Sequence, residues 1–161
     1  MANKQVWAIA EELAAHLPEL PQPWDIEKLC EALEQTRGRP LRLHPVDLPA
    51  LPSGVWYDDG ACDFILYRSS AAGYYRDHII LHEICHMLAG HGVPPEELAG
   101  RARSADSAAG PRSDGQACNA AEEELAETFA SVVLKIAGQR RPRKVSAVER
   151  RAEELLGAAG A

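Results

Sequence analysis

Between Tyr75 and Gly90 the chain carries apolar side chains on nearly every side of a helix: Ile79, Ile80, Leu81, Ile84, Cys85, Met87, Leu88 and Ala89. A helix without a solvated face belongs in an interior and has to be covered from several directions. Set into this stretch are His82, Glu83 and His86, in the order His-Glu-x-x-His. Ionisable groups in an interior are costly unless they are paired or hold a metal. Residues four apart share a helical face, about 5–6 Å apart at Cβ, so His82 and His86 reach toward one metal ion. Glu83 then falls near the open side of that ion, where a carboxylate accepts a proton from water. The pattern predicts a zinc-dependent hydrolase, a peptidase first; a pair of satisfied core histidines is the plain alternative.

A third ligand has to come from elsewhere. The extended form of the motif, with a glycine and a third histidine at fixed distance, is absent, because Ala89 and Gly92 occupy those two places. His91 is one residue short of the register. A glutamate on a following helix is the other standard solution, giving two histidines, one glutamate and an open position. Asn119 to about Gly138 reads as such a helix and contains Glu122, Glu123, Glu124 and Glu127. Leu125, Phe129, Val132, Val133 and Ile136 form its main apolar stripe at helical spacing. Beside that stripe run Glu123, Ala126, Glu127 and Ala130, where small residues admit a neighbouring helix while a carboxylate reaches across. Glu123 is the expected ligand, Glu127 the expected orienting partner of a ligand histidine, and Glu122 the reserve. The competing reading is a solvated helix start, where carboxylates favour the macrodipole.

With His82-Glu83-Ile84-Cys85-His86 and Glu123-Glu124-Leu125-Ala126-Glu127-Thr128-Phe129-Ala130 in view, the chain resembles the ImmA/IrrE group of intracellular regulatory metallopeptidases. That group pairs a His-Glu-x-x-His helix with a later Glu-x-x-Ala-Asn/Asp-x-Phe-Ala helix, whose glutamate corresponds to Glu123. The resemblance spans residues 24–138, with specific matches in the two helices alone. It implies a protein substrate, a helix-turn-helix repressor or an antitoxin-like protein, and a role in transcription regulation. Cys85 stands where the group commonly has a small glycine, and Glu127 where it has Asn or Asp.

The expected fold is α+β: a zincin-like domain in which a small, mainly antiparallel sheet packs on the motif helix and the glutamate-bearing helix. Residues 1–23 read as an amphipathic helix (Asn3 to Leu17) and a Pro-rich linker. Residues 24–138 hold the metallopeptidase domain. Within it, a helix from about Asp25 to Thr36 is ended by Gly38, and strand-like pieces follow at Leu41 to Leu43, Gly54 to Tyr57 and Cys62 to Tyr67. Asp58-Asp59-Gly60 marks a hairpin turn. Phe64 and Leu66 should face one side of the last strand, Ile65 and Tyr67 the other. Residues 92–117, rich in Pro, Ser, Ala, Gly and Arg, read as a flexible insertion, disordered or a lid over the site. Residues 139–161 form a basic hinge, Arg140 to Lys144, and a final helix from Ser146 to Leu156.

Composition narrows the function. With 161 residues and 46% hydrophobic content the chain builds one core. A net charge of −7 argues against direct nucleic-acid binding, and no helix-turn-helix motif is evident. Cys30, Cys62, Cys85 and Cys118 lack paired metal spacing and read as reduced thiols. No segment has transmembrane length and the start lacks an export signal, so a cytoplasmic address is expected. Zn²⁺ is the expected cofactor, held by His82, His86 and Glu123, with Glu83 as the general base. His91, Tyr74 and Tyr75 are candidates for stabilising an oxyanion, and His78, one turn before His82, for orienting a ligand or lining the cleft. A second function class stays open: a regulatory binding protein in which zinc fixes the fold and no bond is cut. The sequence carries no signal for oligomeric state.

Overall fold

Polar side chains at chain reversals set where several of the elements start. The structure, a computed structural model, describes residues 3–47, 53–91 and 118–140, together with Val148, Arg151 and Leu155. Helix α1 (Lys4–Ala15) begins on Asn3, whose side chain accepts the Gln5 N–H at 2.7 Å. Helix α2 (Ile26–Arg37) begins on Asp25, which accepts from the Lys28 N–H at 3.1 Å, and stops at Gly38 in the left-handed region (φ 64°). These caps satisfy backbone groups that a helix end leaves open. The stripe Ile26, Leu29, Cys30 and Leu33 is buried.

Three strands follow, β1 (Leu41–Val46), β2 (Gly54–Asp58) and β3 (Asp63–Arg68), in the spatial order β1-β3-β2. β3 pairs antiparallel with β2 and parallel with β1, so the sheet is mixed rather than mainly antiparallel. The most apolar strand takes the centre: Ile65, fully buried, sits between Leu43 and Trp56. β3 turns back along β2 and lies inside β1, and its two neighbours run in opposite senses. β1 extends beyond the expected Leu43, through Pro45, which an edge strand tolerates because one side of it needs no donor. Side chains alternate as the period of two demands: Phe64 lies on the outer face near the rings of His44 and Tyr57, and Ile65 points into the core. The turn before β3 is held by its aspartates. Asp58 accepts from the Gly60 N–H at 2.7 Å, and Asp59 from those of Ala61 and Cys62 at 2.9 and 2.6 Å.

Helix α3 (Gly73–Ala89) packs on β2 and β3 on one side and on helix α4 (Ala120–Arg140) on the other. This placement explains its all-round apolarity: Ile80, Leu81, Ile84 and Cys85 are fully buried. α1 lies on α4 and adds Ala10 to the same core, while α2 covers β1. Trp24 ties the segment before α2 to α3 by donating its indole N–H to Asp77 at 2.8 Å. All four cysteines are free thiols; Cys30 and Cys85 are buried, and burial pushes both up to about 12. No described helix is long and apolar enough to cross a membrane. The expected insertion at 92–117 and most of the hinge and final helix lie outside the described residues; Val148, Arg151 and Leu155 are helical and exposed.

One buried carboxylate joins α2, the turn and the sheet. Asp63, 1% exposed, accepts from Arg37 Nη1 and Arg39 Nε, each at 2.8 Å, and from the Trp56 indole at 2.9 Å. Arg39 also pairs with Asp58. Removing one member of a buried ionic group strands the others without partners. Asp63→Ala should therefore lower the unfolding free energy by about 3 kcal/mol in urea denaturation, and Asp63→Asn, which still accepts from Trp56, by less.

Candidate metal centre

His78, His82 and His86 recur every four residues along α3, and Glu123 and Glu127 do so along α4. The two rows meet in opposite order: His78 contacts Glu127, His82 contacts both glutamates, and His86 contacts Glu123. The helices thus cross this site antiparallel. Ala126 and Ala130, both fully buried, keep α4 close enough for its carboxylates to reach the imidazoles. Asn119 starts α4, accepting from the Glu122 N–H at 2.8 Å, which sets Glu123 in the first turn.

His82 Nε2 lies 3.1 Å from Glu123 Oε2, His86 Nε2 lies 3.1 Å from Glu123 Oε1, and the two Nε2 atoms are 3.0 Å apart. One donor atom from each residue falls within 4.8 Å of the other two. Burial, then the nearby His82 and His91, lowers the pKa of His86 to about 3. Held neutral, His86 offers a lone pair. Two imidazole nitrogens and one carboxylate on a common point suit a divalent metal of the zinc class, with room left for a further ligand. The donor set therefore fits a bound metal.

Glu127 supports this group from behind. It accepts from His78 Nε2 at 2.9 Å, and its other oxygen lies 2.9 Å from His82 Nδ1, at ion-pair distance but off the hydrogen-bond axis of the ring. Burial works against its charge, yet the contacts with His78 and His82 hold its carboxyl below the usual range. Glutamate is one methylene longer than Asp or Asn, and it spans both histidines. Glu83, 5% exposed, stands beside the donor triangle without joining it. Its Oε2 accepts the Trp56 backbone N–H at 3.1 Å. Burial first, then the charge of Glu123, raises its pKa to about 8 against the pull of that N–H. At that value the carboxyl is protonated at neutral pH, and a cation bound beside it would lower its pKa again toward the charged form that accepts a proton.

These groups line a cleft of about 520 Å³ between α3, α4 and the edge strand β2. Of the further candidates, Tyr75 and His78 line it, whereas Tyr74 is exposed outside it and His91 lies at the back of His86. Glu122, the reserve ligand, accepts from Asn119 Nδ2 at 3.0 Å and stands apart from the donor set. Two contributors escaped the sequence reading. Cys118 Sγ sits 3.6 Å from His86 Nδ1, its thiol pushed up to about 12 by burial and then by Glu122 and Glu123. Gly54 lets β2 approach α3: a Cβ there would fall 2.6 Å from Ile79 Cγ2 and 3.2 Å from Glu83 Cγ. A glycine opening a strand was its only signal in the sequence.

Gly54→Ala should accordingly cost about 1–3 kcal/mol, the usual range for overpacking, read as a lowered midpoint of thermal unfolding. Compared with protein-family models, with curated proteins and with solved structures, the chain finds no match.

Proposed function

We propose that the cleft is the active site of a zinc-dependent endopeptidase with a regulatory role. The observation that carries this reading is the convergence of His82, His86 and Glu123 beside a carboxylate, Glu83, that is not one of the three. A purely structural metal site closes its coordination and has no use for an adjacent acid–base group. Bound there, Zn²⁺ would supply Lewis-acid polarisation of a peptide carbonyl and a more acidic water.

The chain's own residues then divide the work. His82 and His86 present Nε2, and Glu123 presents its carboxylate, to the metal. Glu127, bonded to His78 and 2.9 Å from His82 Nδ1, supports His82 through its charge. Glu83 takes a proton from the attacking water and delivers it to the departing amine nitrogen. Tyr75, on the cleft wall, is the candidate for stabilising the carbonyl oxygen as it gains charge, and His78, bonded to Glu127, lines the cleft. β2 is an edge strand on that wall, and an extended peptide laid along it would be held by main-chain hydrogen bonds. The substrate class, a helix-turn-helix repressor or antitoxin-like protein, is drawn from the resemblance of the two helices to the ImmA/IrrE group. A second reading, a zinc-containing protein that binds such a repressor without cutting it, is favoured by one contact: Glu83 already accepts the Trp56 N–H and is almost fully enclosed.

Metal content tests the ligand assignment. The wild type should bind about one Zn²⁺ per chain; Glu123→Ala should lose most of it, and Glu124→Ala, exposed on another face, should keep it. Loss of metal in Glu122→Ala with retention in Glu123→Ala would reverse the assignment. Catalysis is tested by Glu83→Gln, which should keep the metal and the fold while cleavage of a repressor falls by about 10²–10⁴-fold. Full derepression by that variant, with the repressor intact, would establish the binding reading instead.

A further inference from the structure

The C-terminal end of α3 turns the chain back over one of the ligand histidines. Gly90 adopts φ 67°, in the left-handed region that suits glycine. The next residue, His91, donates its backbone N–H to the carbonyl of His86 at 3.0 Å. Its ring consequently stands edge-on to the His86 ring, with centroids 5.2 Å apart and planes at 66°. The two Nδ1 atoms are 3.0 Å apart. His91 is thus placed at the nitrogen of His86 that faces away from Glu123.

A neutral imidazole has one N–H and one lone pair. If Nε2 of His86 faces the donor triangle with its lone pair, Nδ1 carries the proton and needs an acceptor. Two groups stand at this nitrogen: His91 Nδ1 at 3.0 Å, the right distance to accept the proton, and Cys118 Sγ, a weaker acceptor, at 3.6 Å. Ligand histidines in metal sites are commonly oriented through their second nitrogen by a carboxylate or a carbonyl. We infer that His91 is the positioning residue of His86, accepting its Nδ1–H and so fixing the tautomer and ring angle that present Nε2. The inference rests on the reading of His82, His86 and Glu123 as metal ligands. It assigns His91 no contact with substrate.

The test uses the full chain and Zn²⁺, with affinity read by competition against a chromophoric chelator and folding by thermal unfolding of the metal-free protein. His91→Phe keeps a ring of similar size and removes the acceptor; its Zn²⁺ affinity should fall about 10–100-fold, the usual effect of losing an orienting partner. His91→Asn puts Oδ1 where Nδ1 stood and should recover most of that affinity, whereas His91→Gln, one bond longer, should recover less. Nitrogen-15 NMR of histidine-labelled, Zn²⁺-loaded protein adds a readout that packing alone would not move. In the wild type and His91→Asn the His86 Nδ1 proton should exchange slowly with water, and in His91→Phe quickly. Equal affinity in wild type and His91→Phe would overturn the inference, as would equal weakening by Phe and Asn. Both of those results require a wild type that binds Zn²⁺. A wild type that binds none would overturn the metal-site reading itself, and this inference with it.

Discussion

The close approach of α3 and α4 governs the rest of the molecule. Helices packed through large side chains stand farther apart than those packed through small ones, and Ala126 and Ala130, both fully buried, share the stripe of α4 that carries Glu123 and Glu127. At that separation two glutamates span to three histidines, each with a 2.9–3.1 Å contact. A leucine at either alanine would part the helices and withdraw the carboxylates while leaving every polar residue in the sequence. The apolar packing and the polar site are therefore one construction. Small residues between helices set the reach, and the four-residue spacing on both helices sets the register.

On its other side α3 is gauged against the sheet. Gly54 removes the Cβ that would keep β2 away, and the Trp56 N–H then meets Glu83. β2 is in turn fixed by Asp63, which takes hydrogen bonds from Arg37, Arg39 and the Trp56 side chain. Trp56 thus serves two carboxylates, one through its indole and one through its backbone. The position of Glu83 depends on sheet register as much as on its own helix.

Much of this was legible in the residues because local rules govern it. Asn3, Asp25 and Asn119 announce helix starts and Gly38 a stop, since capping depends on one or two neighbouring side chains. The alanine row beside Glu123 separated it from Glu122 and Glu124, and the structure gathers Glu123 with His82 and His86. Strand order was not legible. A period-two pattern says which face is buried but not which strand is central, so the parallel pairing of β1 with β3 had no local signal. His91 was read by its distance from the motif along the chain, which suggested the cleft. The reversal at Gly90 sends it instead to the far side of His86, and Cys118 arrives there from a segment remote in sequence.

The three candidate donor residues are mounted unevenly. His82 and His86 project from a helix whose surroundings are solid core, but Glu123 belongs to the opening turn of α4, and terminal turns are where helices open first. The three groups consequently differ in permanence: two persist as long as the domain does, and the third lasts only while that turn stays wound. Asn119, which touches none of the three donor atoms, is the latch, since its side chain closes the turn on the Glu122 N–H. Unwinding a single turn would break up the His82, His86 and Glu123 group and leave the hydrophobic core whole, so loss of this group and global unfolding are separable events in this protein.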